Sequence, residues 1–155
     1  MADQVTVTKE IEAPAQKVWA MLTDLPRMGE WSPENEGAAW LHGVRGPAVG
    51  ATFKGSNRNG NKKWSTDGRV VECDSPRLFS FAVSVPGFKV ADWRYEIEST
   101  ASGCVVKETW TDRRNWIAKK VGGLVSGIDD RASHNRDTME TTLDRLKSAA
   151  EERSS

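Results

Sequence analysis

The carboxylate best placed for chemistry is Glu108, in the stretch VVKETW at residues 105–110. Alternate residues of a β-strand share a face, so Val106, Glu108 and Trp110 stand together while Val105, Lys107 and Thr109 oppose them. With the tryptophan side turned inward, Glu108 enters an aromatic pocket. Loss of water there raises its pKa and suits it to general acid/base work, such as an aldol cyclisation or a dehydration. With the other side inward, or with an arginine beside it, the same residue is an ordinary carboxylate. The spacing alone leaves both open.

The remaining reactive side chains organise less well. His42 reads as a strand residue beside a glycine turn, and His134 as a solvated residue on the outer side of a C-terminal helix. Neither has a serine or cysteine partner in a nucleophile motif. Cys73 and Cys104 are the only cysteines, lie at no metal-ligand spacing, and read as half-buried thiols of a reducing cytosol. The reading is therefore no metal and no cofactor. GSNRNGNKK, at 55–63, contains glycine and basic residues, but it fits a hairpin and not a phosphate loop, which needs a helix N-terminus behind it.

Composition narrows the partners. Lysine plus arginine equals aspartate plus glutamate, at 22 each, so no global field attracts nucleic acid. The N-terminal MADQVTVTKEIEAP is charged where a signal peptide is apolar, and no stretch approaches the roughly 18 apolar residues of a membrane span. This reads as a cytoplasmic protein. Seven of the twelve aromatic residues are tryptophan. A core filled only for stability uses more leucine, isoleucine and phenylalanine, so large rings lining a space is the better reading.

The elements that must position these groups follow from periodicity. Val5, Val7 and Lys9 alternate with Thr6, Thr8 and Glu10 before Ile11, which predicts a half-buried strand. Pro14 suits a first helical position, and Ala15, Val18, Met21, Leu22 and Leu25 then share one helix face, with Trp19 on its flank. Pro26 is expected to end that helix by restricting Leu25, and PRMGEW to add one further turn. Six strand-like segments follow, GAAWLHGV, ATFKGSNR, KKWSTDGRVVECD, LFSFAVSV, KVADWRYEIEST and CVVKETWTD, separated by turns such as the Asn59-Gly60 pair. From about Asp129 to Glu151 a long helix carries Ala132, Met139, Leu143, Leu146 and Ala150 on one stripe, with Asn135 and Arg136 at its borders. The expected architecture is α+β: a curved seven-stranded antiparallel sheet around that helix, with two short helices after the first strand. Phe79, Phe81, Trp93 and Tyr95 would face Met139 across the gap. Residues 1–151 read as one domain and 152–155 as a frayed tail.

Residues 113–128, RRNWIAKKVGGLVSGI, admit three readings. Trp116, Ile117, Val121 and Leu124 can line a short helix that acts as a lid. With Lys119 and Lys120 the same helix can touch a membrane transiently. It can also be a packed connector.

Five stretches carry a family resemblance: IEAPAQKVWAMLTDLPRMGEWSP, VGATFKGSNRNGNKKWST, VVECDSPRLFSFAV, WRYEIE and RASHNRDTMETTLDRLKSAAE. Together they resemble the START-like helix-grip superfamily, in its bacterial polyketide cyclase/dehydrase and lipid-transport branch. The resemblance implies that the two short helices form a V closing one end of a cavity, with the bend at Pro26. Trp31 would then cap the pocket or pin the V to the sheet. It also implies an apolar ligand, a lipid or polyketide-like compound, held by a carrier or binding protein. Expected ligand contacts are Trp31, Phe53, Trp64, Phe79, Phe81 and Trp93, together with Tyr95, Trp110, Asn135 and Met139. The alternative is a cyclase or dehydratase using Glu108, helped by polar groups such as Asn135.

Overall fold

A computed structural model describes residues 3–128 and 130–152. The chain runs through β1 (Gln4–Ile11), α1 (Ala15–Leu22), a 3-10 helix (Leu25–Glu30), β2 (Asn35–Trp40), β3 (Thr52–Asn59), β4 (Lys62–Asp74), β5 (Leu78–Val85), β6 (Phe88–Ser99), β7 (Cys104–Asp112), α2 (Trp116–Ser126) and α3 (Arg131–Glu151). The seven strands form one antiparallel sheet in the order β1-β7-β6-β5-β4-β3-β2. Five sequential hairpin pairings therefore build the meander, and β1 returns to pair with β7. Register shifts interrupt the pairings of β2 with β3, β4 with β5, and β5 with β6. Such bulges bend strands and deepen twist, which lets a single sheet curl around α3.

Alternation decides which way each strand faces. In β7 the residues Cys104, Val106, Glu108, Trp110 and Asp112 are all buried, whereas Lys107 is exposed. The convex side carries ion pairs, among them Arg113 with Asp92 at 2.7 Å and Lys54 with Asp67 at 2.9 Å. At one end the interior is solid: Val18, Leu22, Leu25, Phe79, Val106, Leu143 and Leu146 are almost wholly inaccessible. The C-terminal half of α3 is tied down there, with Lys9 2.5 Å from Asp144 and the Glu12 N–H donating to Glu151 Oε2 at 2.7 Å.

Several local expectations are corrected. Helix α1 stops at Leu22, before Leu25: Thr23 is its C-cap and still bonds back to the Trp19 carbonyl at 3.0 Å, but Asp24 leaves the helical region with ψ 75°. Pro26 therefore opens the 3-10 helix and does not itself end α1. Pro14 is the N-cap and not the first helical residue, with extended ψ of 144° and a carbonyl accepting from Lys17 and Val18. Strand β2 begins earlier than GAAWLHGV and ends at Trp40. His42 is no strand residue: its φ of 56° and that of Gly43, 76°, turn the chain. Helix α3 is described from Arg131, capped by Asp130, whose side chain accepts from the Ser133 N–H at 3.2 Å; Asp129 lies outside the described residues, as do 153–155 of the expected tail. His134 is half-buried, its Nε2 3.0 Å from Glu34 Oε2, because the chain entering β2 crosses over the start of α3. Among the described residues no helix is long and apolar enough to cross a membrane.

The 3-10 helix lies so close to β2 that a Cβ on Gly29 would stand 2.6 Å from the Glu36 carbonyl oxygen. Backbone cannot yield as a side chain can. Gly29→Ala is therefore expected to lower unfolding stability by about 1–3 kcal/mol, the usual range for overpacking. Urea denaturation measures this directly, and an unchanged midpoint and slope would show that the 3-10 helix is not held against β2.

Candidate functional site

Away from its solid end the sheet parts from α3 and leaves a cavity of ≈ 240 Å³. The sheet contributes Phe53, Trp64, Phe81, Trp93, Tyr95 and Trp110, while α3 contributes Asn135, Thr138, Met139 and Thr142. Leu25 and Met28 of the 3-10 helix close one side, and Ala118, Val121, Gly122, Val125 and Ser126 of α2 cover another.

Register explains why the rings converge. Phe81 pairs across the sheet with Trp93, Trp93 with Trp110, and Tyr95 with Glu108, so these side chains emerge side by side on the concave face. Phe53 meets Phe81 edge-to-face at 5.3 Å, with Trp40 edge-on behind it at 5.7 Å. The Phe53 ring folds over Gly68, its β4 pairing partner. A Cβ there would lie 2.1 Å from the ring, so only glycine admits this ring position.

Two residues expected at the ligand lie elsewhere. Phe79 is buried at the solid end, edge-on to Trp19 at 5.9 Å and tilted against Phe81 at 5.5 Å, so it backs the wall without forming it. Trp31 is 1 % exposed and outside the cavity lining, with the Arg27 guanidinium 5.3 Å over its ring. It fills the corner after the 3-10 helix as a wedge. The remaining eight expected contacts line the cavity together with Glu108.

Glu108 is 2 % exposed. Its Oε2 accepts the Tyr95 hydroxyl proton at 2.5 Å, and its Oε1 has no hydrogen-bond partner. Burial raises the carboxyl from its ordinary value near 4.5 to about 8, against the opposing pull of the Tyr95 hydrogen bond. Burial, the neighbouring charge and the same hydrogen bond push the Tyr95 hydroxyl well above its usual range. At neutral pH the pair is thus a protonated acid beside a neutral phenol.

The cations lining the cavity are each matched. Arg114 donates to both carboxylate oxygens of Asp112 at 2.9 Å, and its backbone N–H adds a third bond at 3.0 Å. Burial alone would raise Asp112, yet these bonds hold it below its ordinary value. Arg131 donates to Glu34 at 2.8 Å to each oxygen, and lies over Trp64 at 5.9 Å. It also reaches Asn135 Oδ1 at 3.4 Å. The second short helix and the 113–128 segment were expected to close the cavity, although Leu25, Met28 and Ala118 were not named as contacts; the ion pairs were not anticipated. The i, i+2 spacing of Asp112 and Arg114 was a usable signal; the meeting of Glu34 with Arg131, 97 residues apart, was not. Among the described residues no group of three or more histidine, cysteine or acidic side chains is arranged to hold a metal ion.

The family model described as polyketide cyclase/dehydrase and lipid transport matches residues 2–151. A polyketide-cyclase-like protein of Corynebacterium glutamicum is 27 % identical, with a TM-score of 0.65 over 95 % of this chain and 90 % of that one. The di-domain ARO/CYC protein StfQ from the steffimycin biosynthetic pathway is 14 % identical, with a TM-score of 0.75 over 97 % of this chain. The match takes in 52 % of StfQ, so this chain spans about half its length. Ginseng major latex-like protein 151 from Panax ginseng is 11 % identical, with a TM-score of 0.71 over 97 % of this chain and 99 % of that one. The likeness to these last two is one of fold alone. No curated protein sequence matches the chain.

The raised Glu108 value has a thermodynamic signature. Below pH about 4.5 the folded and unfolded chains both carry this proton. Between there and about 8 only the folded chain does, so stability falls as pH rises, with a slope of up to about 1.4 kcal/mol per pH unit. Above that window the loss is complete. Glu108→Gln should remove this component, giving a stability profile that rises relative to wild type across the window. Parallel urea-unfolding profiles of the two proteins would mean that Glu108 ionises normally.

Proposed function

We propose that this chain, which belongs to the polyketide cyclase/dehydrase and lipid transport family, binds one apolar small molecule, a lipid or polyketide-like compound, between its sheet and α3. The observation that carries this reading is a cavity walled by seven aromatic residues, Phe88 among them, whose bordering cations are already neutralised. Such a space rewards apolar area and offers few polar groups to orient a guest. Residues 1–151 act in this reading as one ligand-binding domain, a carrier or binding protein of the cytoplasm. The free thiols Cys73 and Cys104 suit a reducing compartment.

A second reading, catalysis, draws on Glu108. A buried protonated carboxyl with one oxygen unpartnered suits proton donation to a carbonyl or departing hydroxyl, and its conjugate base suits removal of a proton α to a carbonyl. Tyr95 holds the other oxygen and fixes the carboxyl's orientation. Asn135, 3 % exposed and lining the same cavity, supplies an amide to polarise a substrate carbonyl.

Native mass spectrometry of gently purified protein should show a co-purified apolar compound at one per chain. Fatty acids, flavonoids and aromatic polyketides titrated into the protein should include a binder that alters emission from Trp64, Trp93 and Trp110. Met139→Trp fills the space opposite the rings, and should weaken that binder about tenfold or more while costing about 1–3 kcal/mol of stability. No binder in the panel, or binding indifferent to Met139→Trp, would remove the central cavity as the site. For catalysis, Glu108→Gln should abolish turnover of a cyclisable poly-β-ketone and leave its affinity within a few-fold. Retained turnover would end the enzymatic reading while leaving the carrier reading in place.

A further inference from the structure

Apolar surface is unevenly spread over this protein. Among the described residues seven large hydrophobic side chains stand exposed, and five of them belong to the eleven-residue helix α2: Trp116, Ile117, Val121, Leu124 and Val125. Trp116 is 72 % exposed and Leu124 79 %. A helix advances about 100° per residue, which places Trp116, Ile117 and Leu124 on the outward side with Lys120 among them. Ala118, Gly122 and Ser126 turn inward to the cavity. Val121 and Val125 belong to both sides, since they line the cavity and are also exposed. The outer apolar face is therefore continuous with the cavity wall.

Helix α2 is firmly built. The Asn115 side chain caps its start by accepting from the Ala118 N–H at 2.8 Å, and Gly127 ends it with φ 74° and an N–H bonded to the Gly123 carbonyl. Asn59 and Lys62, on the β3–β4 hairpin, donate to the carbonyls of Ser126 and Leu124 at 2.8 and 3.3 Å. The exposed rings and branches are thus presented by a held element.

Charge selects what such a face meets. The protein's net charge is zero, yet residues 113–128 contain four basic residues and no acidic one. Arg113 and Arg114 are paired with Asp92 and Asp112, while Lys119 and Lys120 are exposed and absent from every ion pair among the described residues. Exposed Lys62 lies at the helix end, where it donates to the Leu124 carbonyl. Tryptophan and leucine at opposite ends of one face, with a lysine long enough to reach past them to phosphate, fit the interface of a bilayer.

We propose that the outer face of α2 docks on an anionic phospholipid bilayer, setting Trp116, Ile117 and Leu124 among the acyl chains and Lys119 and Lys120 at the headgroups. Val121 and Val125 then give a guest an apolar route between bilayer and cavity. That use of the face rests on the proposed cavity function; the docking itself does not.

The test is co-sedimentation of the full chain with phosphatidylcholine vesicles, with and without phosphatidylglycerol. Wild type should bind the anionic vesicles at least about tenfold more tightly than the zwitterionic ones. Trp116→Ala with Leu124→Ala, both at exposed positions where folding should be preserved, should weaken binding about tenfold or more. Lys119→Gln with Lys120→Gln should erase the preference for phosphatidylglycerol. No sedimentation of wild type, or sedimentation unaffected by both double variants, overturns the proposal. So does a concentration-dependent dimer in analytical ultracentrifugation that the Trp116/Leu124 variant abolishes, because a second copy then covers the face. Met139→Trp separates the two readings. It should abolish compound binding and leave vesicle binding intact; in wild type, vesicle binding with no compound bound leaves docking standing without the cavity function, and compound binding without vesicle binding does the reverse.

Discussion

Along α3 the inward stripe changes character. Leu143, Leu146 and Ala150 are packed in the solid end of the interior, whereas Asn135, Thr138, Met139 and Thr142 face open space. The polar members of the second group carry little penalty. The hydroxyls of Thr138 and Thr142 donate back to the carbonyls of Asn135 and Thr138, at 3.1 and 2.7 Å, and so remain hydrogen-bonded. A helix of uniform leucine would pull the curved sheet closed along its length. This one grips at its C-terminal half and stands off at its N-terminal half, and the cavity lies in the stand-off.

Within that space electrostatics is settled locally. Asp112 and Arg114 close in a bidentate pair, and one guanidinium nitrogen of Arg131 spans both oxygens of Glu34. Removing Arg114 would leave Asp112 buried and uncompensated, a larger loss than the pair's own net worth. Glu108 has no cation against it and answers burial by holding its proton. The cavity thus combines neutral walls with one acid whose proton is available. This combination serves a carrier through hydrogen bonding and an enzyme through proton transfer, which is why one site supports both readings.

Strand and hairpin signals were strong in the sequence because half-buried strands must alternate. LFSFAVSV and CVVKETWTD coincide with β5 and β7, and β1, β3 and β6 lie within a residue or so of their patterns. Alternation also defined the two possible faces of β7 without selecting between them. What it could not convey is depth along a strand. Phe79 and Phe81 share the concave side, but only Phe81 reaches the cavity, because Phe79 lies where α1 has already filled the space. Likewise a helical projection puts His134 on the outside of α3, yet Glu34, a hundred residues away, arrives beside it. The end of α1 lies at Asp24, whose backbone leaves the helical region two residues before Pro26, and no residue pattern marks that position.

The ties on α2 bear on timing. The carbonyls of Leu124 and Ser126 lie in the last turn, where intrahelical donors run out, and Asn59 and Lys62 supply the missing partners from across the fold. For α2 to swing aside, those bonds must break or the β3–β4 hairpin must travel with it. In the carrier reading proposed above, entry and exit through this side are therefore coupled to a hairpin tip that does not line the cavity. How tightly a guest is held and how long it stays then become separable properties. On that reading the aromatic wall governs affinity, while residence time is set by hydrogen bonds that the guest never touches.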